Sequence, residues 1–349
     1  MGITQKEIAR RLNLSQSLVA GVLNNRPGVW VSRAKKELIL RTAQELGYRP
    51  NAAAQSLRMG RTHRAACVFL GSSGYQAVAE RLADRLATHG YDLLVRVVTD
   101  VTHQEARLQS LLAPGVCDGV AIWGLEPDVL VAGTTFEAAS VPFVVKGRLE
   151  RERPQWFQVD FDHEAMMDQA VAWCASLGRR RVAYLGYDNN FVYTQRLLEG
   201  FRAAYDAHLG ASVDADLVRT VPEGVDAASS VMEEWLARGL QHAPDAVVIG
   251  AGPAAWLGVE VALARAGRRM GTGPMDMVVT GVGGGSPLLF GHAMCYDGAD
   301  LVMVAAAMVD ALLAPLLAGH SPERSVVRLV PPLRPRASLG LPLEFRRDG

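Results

Sequence analysis

Cysteine is scarce. The 349 residues hold four, Cys67, Cys117, Cys174 and Cys295, with no CxxC spacing and no close pair. That pattern excludes a disulfide framework and a thiolate zinc site. The apolar neighbours of each cysteine mark buried thiols. No apolar run is long enough to span a bilayer. The chain opens on a polar helical stretch rather than a secretory signal, so the expectation is a cytoplasmic protein with no membrane partner. Nor is there a Ser/His/Asp or Cys/His arrangement suited to nucleophilic catalysis, and the residues after Arg336 carry no apolar heptads for a coiled coil. No cofactor and no metal is expected.

About half of the residues are apolar, enough for a large core, and the length suggests two or three domains. The formal net charge is zero but unevenly placed. Residues 1–62 hold eleven Lys and Arg against three Glu, a net +8, so the remainder carries −8. A basic head on an acidic body is the electrostatic footprint of a nucleic-acid-binding module.

Within that head, Thr4 suits a helix N-cap with Glu7 as its capping-box partner, and Ile8, Ala9 and Leu12 follow at helical spacing. Asn13 and Leu14 break the pattern. Ser15 caps a second helix striped by Leu18, Val19, Val22 and Leu23. Two short helices joined by a tight turn fit a helix-turn-helix, whose second helix enters the DNA major groove. Ser32 caps a third helix, closed by Gly47.

These segments, with Val22 to Asn25 (VLNN), residues 47–51 (GYRPN) and 56–62 (SLRMGRT), resemble the DNA-binding headpiece of the lac-repressor (LacI/GalR) family. The resemblance extends more weakly over nearly the whole chain. It implies a headpiece at 1–50, a hinge helix and linker at 51–62, and a periplasmic-binding-protein-like core at 63–349. Beyond the headpiece, apolar strands at Ala65 to Leu70, Gly119 to Trp123, Arg181 to Gly186 and Ala246 to Gly250 alternate with helical stretches, the rhythm of two doubly wound α/β halves. By resemblance the chain crosses between subdomains near 155–160, 286–295 and 317–325. The first subdomain then holds about 63–157 and 296–320, including a helix from Asp300 to Leu317, and the second about 158–290 and 321–349.

The expected DNA-binding residues are Thr4, Ser15, Gln16, Ser17, Leu18, Asn24, Asn25, Tyr48, Asn51, Ala54 and Leu57. Gln16 suits a bidentate adenine contact. By resemblance Leu57 is a minor-groove wedge on the hinge helix, with Ala54 allowing close approach. The recognition helix departs from the family: Ala20 and Gly21 stand where a serine and an arginine are usual, so two polar side chains are missing.

Two other features point toward enzymes. Gly250 to Ala255 (GAGPAA) follows an apolar strand and opens a helix, as a dinucleotide fingerprint would, but no ribose-binding acid follows the next strand. That leaves a nucleotide-binding enzyme as the alternative class. Asp160, Asp162, His163 and Glu164 form an acidic cluster, for which helix capping by Asp162 is the better account.

The effector cleft departs most from the family. Trp123, Gly147, Ala251-Gly252 and Gly283 replace its polar ligands, and Leu197 takes the place of its arginine, with Arg196 displaced by one. The expected lining is Tyr75, Trp123, Phe161 and Tyr193, with Arg196 as a lone charge. From this follow the expected partners: operator DNA, a second copy of the chain, and a small-molecule effector other than a simple sugar, or no effector at all.

Overall fold

The structure, a computed structural model, describes residues 3–24, 28–48, 60–70, 75–98, 104–124, 126–147, 153, 155–189, 191–239, 241–282, 294–295 and 299–335. The chain divides into two compact units, 1–62 and 63–349.

Among the described residues the first unit holds three helices: α1 (Gln5–Leu12), α2 (Gln16–Leu23) and α3 (Arg33–Glu45). Each starts at its expected cap. Thr4 Oγ1 accepts from Glu7 N at 3.3 Å, Ser15 Oγ from Leu18 N at 3.3 Å and Ser32 Oγ from Lys35 N at 3.4 Å, each satisfying a donor the helix cannot pair itself. Asn13, at φ 53°, turns the chain between α1 and α2. Ile8, Ala9, Val19, Val22, Ile39 and Ala43 form the core where the three helices meet.

The second unit contains two six-stranded sheets. The first has the order β11-β5-β4-β3-β1-β2, from β1 (Arg64–Leu70), β2 (Asp92–Val98), β3 (Gly119–Trp123), β4 (Phe143–Lys146), β5 (Phe157–Phe161) and β11 (Val326–Leu329). All its pairings are parallel. Helices α4 (Tyr75–Thr88), α5 (Gln104–Gln109) and α6 (Glu126–Ala138) supply the crossovers. Such strands are buried on both faces: Cys67 and Phe69 of β1 point into one apolar cluster, Ala66 and Val68 into the other.

The second sheet has the order β12-β10-β9-β8-β6-β7, built from β6 (Val182–Tyr187), β7 (Val218–Val221), β8 (Ala246–Gly250), β9 (Val278–Gly281), β10 (Met294–Cys295) and β12 (Arg334–Pro335). Among the described residues the β10–β12 pairing alone is antiparallel. Helices α7 (His163–Ser176) and α8 (Val192–Leu209) cover one face; α9 (Val225–Ala237) and α10 (Pro253–Arg265) cover the other. Trp235 and Trp256 are buried beneath α9 and α10. Their indole N–H groups donate to the carbonyls of Asp216, at 2.9 Å, and Val282, at 2.6 Å.

The segment expected as one helix from 300 is α11 (Ala299–Ala306), a π-helical turn (Ala307–Leu313) and α12 (Ala314–Leu317). Its Val304, Met308, Val309 and Leu312 share an apolar cluster with β1, β4 and β5 of the first sheet.

Two subdomain boundaries move. β5 and β11 pair with each other in the first sheet, so 158–161 and 326–329 belong there rather than to the second subdomain. The cause is a short alternating strand beside the β4 edge: Gln158 bonds the Ser325 carbonyl and Asp162 N the Leu329 carbonyl, pairings that no local pattern announces. The third expected boundary falls partly on 286–293, outside the described residues.

Candidate DNA-binding surface and effector site

In the first unit, Thr4, Ser15, Gln16 and Ser17 are exposed. Ser15 and Ser17 share a hydroxyl contact of 3.2 Å. Leu18 is half-buried, and Val19, Ala20, Gly21 and Val22 are buried, so the polar face of α2 is confined to its first turn. A Cβ on Gly21 would lie 2.7 Å from Val29 Cγ2. Ala20 and Gly21 thus leave no polar side chain beyond the first turn, and Val29 fills the space beside Gly21. Asn24 spends its amide Nδ2 on the Ala20 carbonyl at 2.7 Å, closing the helix. Tyr48 is half-buried against the three-helix core. Asn25, Asn51, Ala54 and Leu57 lie outside the described residues.

In the second unit, the C-terminal ends of β3, β4 and β5 bring together Trp123, Lys146, Asp160 and Phe161. Lys146 Nζ sits 5.4 Å from the Trp123 ring and 5.5 Å from that of Phe161, within reach of cation–π attraction. Asp160 Oδ1 lies 3.5 Å from the same ammonium. Phe161 packs against clusters of both sheets, which puts this group at their junction. His163, the first residue of α7, has Nδ1 at 3.9 Å from Asp160 Oδ2 and its ring 6.2 Å from that of Tyr193. Tyr193 in turn stacks near Phe191, with ring centroids 6.1 Å apart. Burial holds the His163 imidazolium below its ordinary range, against the opposing pull of Asp160, so the ring is neutral near pH 7. Burial likewise raises the Tyr193 phenol. Asp160 Oδ1 and His163 Nδ1 are buried and, among the described residues, have no hydrogen-bond partner.

Three of the expected lining residues, Trp123, Phe161 and Tyr193, are thus linked through Lys146, Asp160 and His163. Lys146 was missed because it ends an otherwise apolar strand, and Asp160 because its capping neighbour, Asp162, which accepts from Ala165 N at 3.0 Å, offered a complete local account. The side chain of Tyr75 and residue Gly283 lie outside the described residues. Arg196 is not a lone charge: its Nη1 donates to Glu164 Oε1 at 3.0 Å. Gly200, one turn further along α8, permits that pairing, because a Cβ there would come within 2.9 Å of Glu164 Cα and hold the helices apart.

The glycines of 250–255 are packing positions. A Cβ on Gly250 would overlap the Tyr184 ring and hydroxyl, and one on Gly252 would sit 2.7 Å from the Tyr187 hydroxyl. Aromatic side chains take the space a phosphate cradle would need. No group of three or more His, Cys, Asp or Glu suited to a metal ion occurs among the described residues.

Comparison with known proteins agrees with this division of labour. The family described as periplasmic binding protein-like domain matches residues 171–339. The transcriptional regulator CelR of Thermobifida fusca is 29% identical over 80% of this chain and 81% of its own. AglR of Rhizobium meliloti is 27% identical, over 78% of this chain and 76% of its own. The lac repressor dimer bound to operator and an anti-inducer superposes with a TM-score of 0.74 at 18% identity, over 96% of this chain and 98% of that one. Over most of its length the chain is similar to regulators of the lac-repressor family. Its relatives are transcriptional regulators, which sets aside the nucleotide-binding enzyme. A CelR–cellobiose complex, TM-score 0.63 at 23% identity over 95% of this chain and 98% of that one, shows a sugar bound to a protein of the same fold. No helix among the described residues is long and apolar enough to cross a membrane.

Proposed function

We propose that this chain is a cytoplasmic transcriptional repressor that binds a pseudo-palindromic operator as a homodimer, with affinity set by a small molecule held where the two sheets meet. The observation that carries the reading is the capped three-helix unit of net +8 joined to a two-sheet unit. A single small headpiece offers little interface, and two related by a dyad read two half-sites. In this reading Thr4, Ser15, Gln16, Ser17 and Tyr48 meet DNA directly, with Asn25, Asn51, Ala54 and Leu57 acting as the family resemblance implies.

The effector reading rests on Trp123, Phe161, Lys146, Asp160 and His163. An aromatic pair offers stacking surface, and a cation neutralised by its own carboxylate leaves a site without net charge. Asp160 Oδ1, held by the Lys146 ammonium but without a hydrogen bond, and His163 Nδ1 among the described residues offer positions for hydroxyl or amide partners, since a buried polar group without a hydrogen bond costs about 1–3 kcal/mol. These features support a neutral ring-bearing ligand with hydroxyls. That class is wider than the sequence expectation, which excluded simple sugars for want of polar groups before Lys146 and Asp160 were counted.

Genome-wide footprinting with the full-length protein tests the reading. Protected sites with dyad-related halves are expected, and a small molecule that releases them will quench or shift Trp123 emission. Uniform protection without preferred sites would overturn it.

A further inference from the structure

The segment joining α2 to α3 carries a side chain that the fold leaves without a role. Trp30 is 96% exposed, the highest value among the exposed large apolar residues described. Its neighbours are not loose: Val29 and Val31 both pack against the three-helix core, and Val29 is seated against Gly21 of α2. With Val29 and Val31 on either side both packed inward, the segment is anchored and Trp30 between them is left facing outward. An indole held outward offers a large, rigid apolar face with one polar N–H, suited to a partner that is part apolar and part wet.

The occupant is identified by charge and position. Arg33, Lys35 and Lys36 follow within six residues, all exposed, on a unit of net +8. A second copy of that unit would be repelled, whereas a polyanion would be drawn in. The adjacent recognition helix offers only Ser15, Gln16 and Ser17 as exposed polar side chains before it turns inward. We propose that Trp30 is a positioning residue for operator DNA, laying its ring on apolar parts of the duplex such as deoxyribose faces and thymine methyl groups. Gly21 is what allows this: by admitting Val29 against α2, it fixes the segment that presents the indole. The recognition surface is thereby shared between a short polar helix face and one large aromatic, in place of a longer polar helix.

The inference rests on the DNA-binding reading above, and its test separates the two. The probes are the duplex that the wild-type full-length protein enriches from a random-sequence pool, and an unrelated duplex of equal length. Trp30→Ala is expected to weaken the enriched duplex tenfold or more, and Trp30→Phe to retain part of the affinity. The slope of log affinity against log salt should stay unchanged, since a neutral ring releases no counterions. The quenching of tryptophan emission on DNA binding should shrink in Trp30→Phe, which keeps the packing and removes the indole. Affinity of Trp30→Ala within twofold of wild type, with amide protection of α2 intact, would overturn the proposal. So would a shift in the monomer–dimer equilibrium at unchanged DNA affinity per dimer, which would assign Trp30 to a contact between copies. A wild-type protein that enriches no duplex overturns both readings.

Discussion

Replacing Gly21 with alanine tests whether the valine contact governs the recognition helix. Glycine inside a helix is normally a weakness, and alanine there gains about 0.5–1 kcal/mol. Here the new methyl would stand 2.7 Å from Val29 Cγ2 and 3.2 Å from Cγ1. Valine is stiff at χ1, so relief requires moving the 28–31 backbone, and overpacking of this kind costs about 1–3 kcal/mol. The second effect wins, and Gly21→Ala should destabilise the first unit by about 1 kcal/mol net. Native-state hydrogen exchange in the full-length protein reads this directly: protection of the α2 and α3 amides should fall about fivefold. In Val29→Ala the space beside Gly21 opens, so adding Gly21→Ala to it should raise protection. The coupling between the two sites is expected within the range of about 0.5–3 kcal/mol for contacting residues. If Gly21→Ala alone increased protection, helix propensity would govern, and Val29 would not hold the segment against α2.

Other consequences can be checked independently. Operator affinity should fall steeply between about 50 and 200 mM salt, because the +8 unit displaces counterions from DNA; a flat profile would remove the electrostatic argument, and deleting 1–62 should abolish binding while the second unit stays folded by circular dichroism. Lys146→Met leaves the Asp160 carboxylate, 4% exposed, without its cation and should cost about 3 kcal/mol in urea unfolding, whereas Lys146→Met with Asp160→Asn should recover most of that; equal losses in both variants would mean that the ion pair contributes nothing. The folded-state pKa of His163 is depressed by burial, so its contribution is fully present above the unfolded value, about 6.5, and is lost as pH falls from there toward the folded value; the thermal midpoint should drop between about pH 7 and 5, and His163→Gln should flatten that dependence. A wild-type midpoint unchanged over that interval would show that the ring is not held neutral.

Local chemistry alone determined much of this protein. Thr4, Ser15 and Ser32 were legible as caps because the groups they satisfy lie three residues away, and β3 and β8 were legible as buried strands because each is a continuous apolar run between glycines or polar residues. The charge division into a basic head and an acidic body needed only counting. Tertiary structure decided what depends on partners distant in sequence. β5 alternates too briefly to announce itself, and its place in the first sheet is set by β11, more than 160 residues later in the chain. Arg196 looked solitary because Glu164 lies 32 residues before it, and Lys146 looked like the end of an apolar strand until Trp123, Asp160 and Phe161 arrived from neighbouring strands. Gly21 read as a lost polar side chain because sequence records what a residue lacks, not what fills the space. Helix caps are short-range and survive being read one residue at a time; the effector site and the surface beside the recognition helix depend on which strand ends and loops the fold brings within a few ångströms of each other.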